Sequence, residues 1–540
     1  MPVVESLESM VGERRRLRVA WTIVFLVALA QRLMLFLAHR ADLDAFIGAN
    51  ATWYTYQNLP REMLGPHLLR SLLYLQQTPP ASNLFMGLAL KWFSWPAGVA
   101  YALIWLQTLI CIAAALVLVH VLALLYPGRA VLWTAIGLLF VLNTDLVVLE
   151  YNSMGQTLYG PLAMLLLLVM LDRLLLFRLG GRVRDAAAVG LAMGLLVLTR
   201  ATWSYFSVVC ILLVAAFAPA RRGRAALVCL LPIVLLQGGW AVKNWIVYGA
   251  FSLTTTTWGG MHARAGLNNG GLGDEYTRYE RENVTSEHGY PPWRVARAQG
   301  DPLGMFLFPL DIRNRDVAID QAIGMANPLT NTLVFRTACA MDQRIFLEFV
   351  RANPWTMARK WVFAYRVFWQ PIANYGQLFV DLFAVGNHLL DSFDLRNVVA
   401  QLAAGNLPDT QYVTSGTRGP MGTRINFALK PTSLYTLRWL EPFVLVLNLI
   451  SVHVLLPLLA IWWLASRFRR PPSDRFDPLR MSALLVAAIF YGYLAALVNL
   501  VETIENMRYR LEVEPMIWLI SLICVTELTG ILRWPRLPAL

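Results

Sequence analysis

Apolar runs of about twenty residues recur along this chain, and they limit its possible folds more than any other feature. A helix of that length crosses the hydrocarbon core of a bilayer. Hydrophobic residues make up 57% of the 540-residue chain and charged residues only 15%, so a soluble domain could not bury the apolar surface. Because the runs are continuous rather than alternating, the sequence predicts an all-α polytopic membrane protein and not a barrel.

The runs predict about ten transmembrane helices, and up to twelve if an ambiguous aromatic stretch at 361–390 crosses the bilayer. That stretch is otherwise interfacial or re-entrant. The predicted spans lie near 19–38, 97–125, 130–148, 156–177, 186–200, 203–219, 225–247, 436–466, 480–500 and 511–532.

These spans divide the chain into three parts. An N-terminal transmembrane module covers 1–247 and contains a first outer loop at 39–96. A mixed extracytoplasmic segment follows at 248–435, and the C-terminal helices lie within 436–540.

Arginine clusters set the predicted orientation. Basic residues before the first span stay in the cytoplasm by the positive-inside rule, and the later clusters alternate consistently with that start. Both termini are therefore predicted inside, in a bacterial cytoplasmic (inner) membrane, with the bacterial source suggested by composition alone. The same clusters account for the net charge of +13, so nucleic acid is not an expected partner.

The first outer loop carries the strongest candidates for chemistry. Asp42 and Asp44 follow the first span closely, and Tyr54 and Tyr56 come soon after them. A carboxylate there is either a solvated loop residue or a general base that removes a proton from an acceptor hydroxyl. Aromatic side chains suit sugar stacking, although they also belong at membrane interfaces. Farther along, Arg61–Gln76 has the spacing of an amphipathic interfacial helix.

More polar residues stand at predicted outer ends of spans. The positive-inside rule disfavours cations on the outer side, so the presence of four of them there requires an explanation. They are Arg200, Lys243, Arg508 and Arg510. All four either bind a phosphate or reach toward lipid headgroups. Arg508 and Arg510 could instead pair with nearby acids such as Glu512 and Glu514, which would make the cluster structural. The remaining candidates for substrate binding are Asp145, Glu150, Gln156, Asn268 and Asn269.

Several short stretches carry a resemblance that extends over most of residues 20–270 and again over 500–530. They are the acidic motif at Asp42–Asp44, the amphipathic stretch Arg61–Gln76, the sequence QTPP at 77–80, MGQTLYG at 154–160, GLLVLTR at 194–200, WAVKN at 240–244, the strip at 258–269 and RYRLEVEP at 508–515. Together they resemble the GT-C superfamily of integral-membrane glycosyltransferases. The nearest branch contains protein O-mannosyltransferases and the lipid A aminoarabinose transferase.

The sequence departs from that branch at identifiable positions. Its acidic motif is Asp-Leu-Asp instead of Asp-Glu, so either Asp42 or Asp44 matches the base. Lys243 stands where an Arg is usual, and Leu267 where a Gly is usual. The segment 274–435 matches no motif of the family, and we expect it to carry acceptor recognition.

The resemblance implies a GT-C-like fold and a polyprenyl-phosphate-linked sugar donor that is used on the outer face. One Asp would deprotonate the hydroxyl of a glycan, lipid or protein acceptor, and the sugar would be transferred with inversion. The cations Arg508, Arg510, Lys243 and Arg200, in that order, would stabilise the departing phosphate. No cofactor is expected, and although some relatives bind divalent cations, none is expected to be essential here.

Two other functional classes fit parts of the pattern. A lipid-linked sugar flippase or transporter would need midplane charges and broken helices, whereas the charges here gather at one face. A receptor or assembly protein would not need acids and cations paired at the outer ends of its transmembrane helices. Within the enzyme class, the sequence separates a polysaccharide polymerase or ligase poorly from a single-sugar transferase.

Overall fold

The computed structural model describes residues 2–38, 40, 44, 47, 59, 61–76, 78–143, 146–147, 150, 159–254, 278, 343, 346–369, 441–468, 477–501 and 506–529. Within these residues the protein is helical and has no strand. The all-α prediction is therefore confirmed for the part of the chain that is described.

The helices, numbered in chain order, are α1 (Pro2–Ala38), α2 (Arg61–Leu73), α3 (Ala81–Trp92), α4 (Ala97–Leu125), α5 (Ala130–Val141), α6 (Tyr159–Gly180), α7 (Val183–Thr199), α8 (Phe206–Phe217), α9 (Arg222–Ile233), α10 (Gly239–Tyr248), α11 (Pro354–Phe368), α12 (Glu441–Ile450), α13 (Leu456–Phe468), α14 (Pro478–Val501) and α15 (Asn506–Thr529). A short 3₁₀ turn at Ala201–Trp203 precedes α8. Two π-helical segments, Val234–Gly238 and Ser451–Leu455, join α9 to α10 and α12 to α13.

Among the residues that the structure describes, five helices are long and apolar enough to cross a bilayer by length and composition. They cover Gly12–Leu37, Ala97–Leu125, Arg222–Tyr248, Val446–Ala465 and Pro478–Leu500. The protein is therefore an α-helical membrane protein. Other predicted spans also form helices, but α5, α7 and α8 are shorter. The number of ten to twelve crossings stays a prediction.

Two local features differ from the sequence-based expectations. The predicted amphipathic stretch ends earlier, at Leu73, and its helix is broken at His67, next to Pro66. Helix α3 was not predicted at all, although it begins directly after the two prolines at 79–80. The prediction for 361–390 falls mostly outside the described residues, but its first part belongs to α11.

Helix α6 lies at the centre of the main bundle. It packs against α4, α7, α14 and α15, and its leucines are buried on several sides rather than along one stripe. A helix that is apolar all round belongs in such a fully enclosed position. The surrounding helices leave many aliphatic side chains exposed on their outer sides, as expected for surfaces that face lipid.

A cluster of polar contacts ties several helix ends together at one end of the bundle. Arg480 donates to Glu527 over 2.8 Å and to the Leu125 carbonyl over 3.0 Å. Nearby, Glu13 accepts a hydrogen bond from the Gly128 backbone amide, 2.8 Å away. The predicted topology requires these ends to share one side, and the cytoplasmic assignment of that side stays a prediction.

A second, smaller apolar cluster involves α2, α3 and the start of α4. It includes Leu64, Leu68, Met86 and Val99. Asn83 is fully buried within α3 and accepts a hydrogen bond from the Leu59 backbone amide over 2.8 Å. These contacts fix the segment before α2 onto α3, close to the start of the second predicted span.

Helix α11 runs antiparallel along α14. Successive contacts join Lys360 Nζ to the Leu500 carbonyl and Trp361 Nε1 to the Ala496 carbonyl, 2.7 and 3.3 Å apart. Farther along α11, Tyr365 hydrogen-bonds to Tyr491. Since Phe368 lies in the main core, α11 enters the bundle from the end of α14 rather than lying flat on a surface. The interfacial, re-entrant and membrane-crossing alternatives for 361–390 all stay predictions, because most of that stretch lies outside the described residues.

Candidate functional site

Asp44 lies just beyond α1, in helical conformation, and its side chain is exposed. One carboxylate oxygen, Oδ1, accepts a hydrogen bond from the Tyr101 hydroxyl, near the start of α4. The Tyr101 ring is held in turn by an edge-to-face contact with Phe36 of α1, with centroids 5.3 Å apart. An exposed carboxylate is therefore held by one oxygen against the helix bundle.

Lys243 is half-buried on α10, near the end of the third helix that can span a membrane. Its ammonium group donates to the Leu75 carbonyl and lies 3.7 Å from the centroid of the Trp240 ring. Among the residues the structure describes, no acidic side chain forms an ion pair with it. The neighbouring Asn244 is fully buried and donates to the Ser252 carbonyl over 2.7 Å, which holds the following turn against α10.

The second apolar cluster connects these two polar groups. Tyr101, which donates to Asp44, and Trp240, which lies under the Lys243 ammonium, both pack against it. The cluster also contains Leu75, whose carbonyl accepts the Lys243 hydrogen bond. The candidate base and one candidate phosphate ligand are therefore anchored on the same cluster, formed mainly by α2, α3 and α4.

Arg200 has a carboxylate partner. It forms an ion pair with Glu512 of α15, a side chain with no exposed surface. Trp203 Nε1 donates to the other Glu512 oxygen over 2.9 Å, and the Arg200 guanidinium carbon lies 3.8 Å from the centroid of the Tyr509 ring. The sequence left open that Glu512 pairs with Arg508 or Arg510 and has a structural role. The structure instead pairs Glu512 with Arg200.

Arg510 is also paired. Its Nε atom donates to Glu514 over 3.1 Å, one turn along α15, and Trp518 Nε1 donates to the same carboxylate over 3.0 Å. Both members of the pair are buried. Arg508 belongs to α15, but its side chain lies outside the described part of the structure.

Glu150 is fully buried. Arg32 of α1 binds it through two parallel hydrogen bonds of 2.7 and 3.0 Å. The Thr108 hydroxyl donates to the same carboxylate over 2.9 Å. A role for Glu150 in contacting substrate stays a prediction. The other candidates lie outside the described residues: Asp42, Tyr54, Tyr56, Asp145, Gln156, Asn268 and Asn269.

Three further polar side chains in this region were missed by sequence reasoning. Arg32 lies inside the first span, where an ionisable residue is costly and needs a partner, so its position alone was an available signal. Tyr101 looked like an ordinary interfacial aromatic. Lys360 is fully buried and reaches the carbonyl of Leu500, close to the end of α14, where a cation interacts favourably with the helix dipole.

The arrangement provides groups for proton abstraction and for charge stabilisation. Within the described residues, no group of three or more His, Cys, Asp or Glu side chains could hold a metal ion. The five cysteines include four that are described, all of them buried and unbridged. A carboxylate that has one oxygen fixed and an exposed side chain can accept a proton from a docked hydroxyl.

Comparison with known proteins gives no relative: no family model, no curated protein and no solved structure matches this chain.

Proposed function

We propose that the protein is an inverting glycosyltransferase of the GT-C type, which moves a sugar from a polyprenyl-phosphate donor to an acceptor hydroxyl on the outer face of a bacterial cytoplasmic membrane. One observation carries the proposal. The exposed carboxylate of Asp44 and the Lys243 ammonium, which forms no ion pair with a described residue, are anchored on one apolar cluster of a membrane-embedded helical protein. A base and a phosphate ligand are the two groups this reaction needs most.

In the proposed reaction, Asp44 acts as the general base. The Tyr101 hydroxyl donates to Oδ1, so Oδ2 is the oxygen that accepts the proton of the acceptor hydroxyl. The acceptor oxygen attacks the anomeric carbon as the bond from that carbon to the phosphate oxygen breaks. The products are the inverted glycoside, the protonated Asp44 and polyprenyl phosphate, with no cofactor involved.

The departing phosphate gains negative charge in the transition state, and a fixed cation stabilises that charge. Lys243 now ranks first among the four candidates. The charges of Arg200 and Arg510 are each opposed by a buried carboxylate, so their first role is structural. Arg508 keeps its proposed role as a phosphate ligand.

The alternative function is a lipid-linked sugar flippase or transporter. The Arg32–Glu150 pair is the observation that bears on it, because ionisable residues inside a membrane often mark a transport path. However, both side chains are almost completely buried, and Glu150 has three hydrogen bonds from Arg32 and Thr108. A closed, satisfied pair is a structural element rather than a substrate path.

The test is turnover of synthetic polyprenyl-phosphate sugars by the purified protein in liposomes. Donors with different sugars are supplied together with glycan, lipid and protein acceptors, and product is analysed for the configuration of the new bond. The proposal expects transfer from at least one donor, with inversion. Movement of intact donor across the bilayer without any transfer would contradict it and support the flippase.

A further inference from the structure

A buried ion pair joins Arg32 of α1 to Glu150. Arg32 and Glu150 have side chains only 1% and 0% exposed, and each is satisfied by several hydrogen bonds. Arg32 Nη1 donates to the Val141 carbonyl, at the end of α5, over 2.6 Å. Thr108 of α4 donates to Glu150. The pair therefore joins α1, α4, the end of α5 and residue 150.

The two helices that meet at this pair also lie close to Asp44: α4 carries its partner Tyr101, and α1 ends a few residues before Asp44. On α4, Tyr101 and Thr108 are seven residues apart and lie on one side of the helix. On α1, Phe36 follows Arg32 by one turn and contacts the rings of Tyr101 and Trp105, with centroids 5.3 and 5.6 Å apart. A continuous seam thus runs from the ion pair through Phe36 to the hydrogen bond between Tyr101 and Asp44.

Stability alone does not explain why this seam contains charges. Removing two charges from water is costly, and well-packed apolar residues of similar volume are often as stabilising as a buried ion pair or more so. What the pair adds is geometry, because the planar guanidinium holds a carboxylate in one orientation through two parallel bonds. Because Thr108 holds Glu150 against α4, a displacement of α1 along α4 would break both bonds at once.

We infer that the Arg32–Glu150 pair is a positioning device: it fixes the register of α1 against α4 and so places the Asp44 carboxylate at Tyr101. As a role in catalysis, this inference rests on the proposed function. As a statement about the position of Asp44, it can be tested without any activity. Arg32 and Glu150 are positioning residues, since they act through Asp44 and Tyr101.

The direct test measures proximity. Cysteines replace Asp44 and Tyr101 in a background without the five native cysteines, and the yield of a short bifunctional cross-link is measured in liposomes. The double change Arg32→Met with Glu150→Leu is then added. The matched control is Arg480→Met with Glu527→Leu, which removes another buried pair at the other end of the bundle. Thermal unfolding shows which proteins are folded.

We expect the cross-link yield to fall about tenfold in the Arg32/Glu150 variant and to stay unchanged in the Arg480/Glu527 control. In the protein with native Asp44 and Tyr101, the same variant should lose about 100-fold in kcat, the cost of a small misplacement, with donor affinity retained. The single change Arg32→Lys should not preserve the wild-type kcat, because an ammonium group cannot form two parallel hydrogen bonds with a carboxylate.

An unchanged cross-link yield in a folded variant would overturn the inference. If the double variant does not fold, Glu150→Gln decides instead, since it keeps the shape and the Thr108 contact while weakening the ion pair, and the same loss of cross-linking is expected. If the wild type transfers no sugar but the cross-link depends on the pair, the proposed function fails and the positional inference stands.

Discussion

At the scale of single residues, the most informative result is that two expected phosphate ligands have acidic partners. A buried cation and a buried carboxylate compensate each other, so removing one leaves the other at high energy. Glu512 has no exposed surface, and it accepts hydrogen bonds from Arg200 and Trp203. The sequence showed the charges but not which of them are neighbours.

Arg200→Met tests that interpretation. The change should destabilise the protein by about 3–5 kcal/mol, because Glu512 loses the guanidinium that balances its charge. The matched control is Arg61→Met, which breaks an ion pair between exposed side chains and should cost no more than about 1 kcal/mol. Thermal or denaturant unfolding in detergent compares the two. Equal effects would mean that Arg200 is not a structural cation.

Lys243→Met tests the phosphate ligand. Because Lys243 forms no ion pair with a described residue, its loss should weaken donor binding about tenfold or more while unfolding changes little. Lys243→Arg should retain most of the affinity. The control is Lys91→Met, an exposed lysine at the end of α3, which should bind donor normally. Unaltered donor affinity in the Lys243 variant would remove this residue from the proposed site.

At the scale of helices, close packing between α7 and α9 depends on small residues. An added Cβ at Gly190 would lie 2.0 Å from the backbone oxygen of Cys229, and one at Gly194 would lie 2.8 Å from a Leu236 methyl group. Glycines four residues apart let two membrane helices approach each other closely. The spacing is visible in the sequence, but the partner helix is not.

Gly190→Ala should therefore destabilise the protein by about 1–3 kcal/mol, the usual cost of overpacking against backbone that cannot move aside. The matched control is Gly223→Ala on α9, where an added Cβ meets no atom within 4 Å. That change should be neutral or stabilising by up to about 1 kcal/mol, since alanine favours helix. Unfolding that is equally unaffected by both changes would show that α7 and α9 are not in backbone contact.

The same scale shows what sequence reasoning can and cannot predict. The second predicted span, 97–125, agrees with α4, and the spans near 225–247 and 480–500 agree closely with observed helices. Long apolar runs can be recognised from the sequence alone. Helix α3 was missed, since it is short and lies in a loop. Partners such as Arg32 and Glu150 are far apart in sequence, so only the packing of the bundle could pair them.

At the scale of the whole molecule, the predicted orientation is the main assumption of the proposal. It can be checked with single cysteines at exposed positions in intact cells. Glu62→Cys, on α2, should react with a membrane-impermeant maleimide, whereas Arg222→Cys, at the start of α9, should react only after the membrane is permeabilised. The opposite pattern would place the Asp44 side of the protein in the cytoplasm.

The measurement that tests the central claim most directly is the turnover of bound donor by the Asp44→Asn variant relative to wild type. Glu62→Gln, an exposed acid of the same outer segment, is the control and should keep full activity. The account predicts that Asp44→Asn binds donor normally and loses at least about 100-fold in kcat, as expected when a general base is removed. A kcat within about twofold of wild type would contradict the account, because the acceptor proton would then go elsewhere.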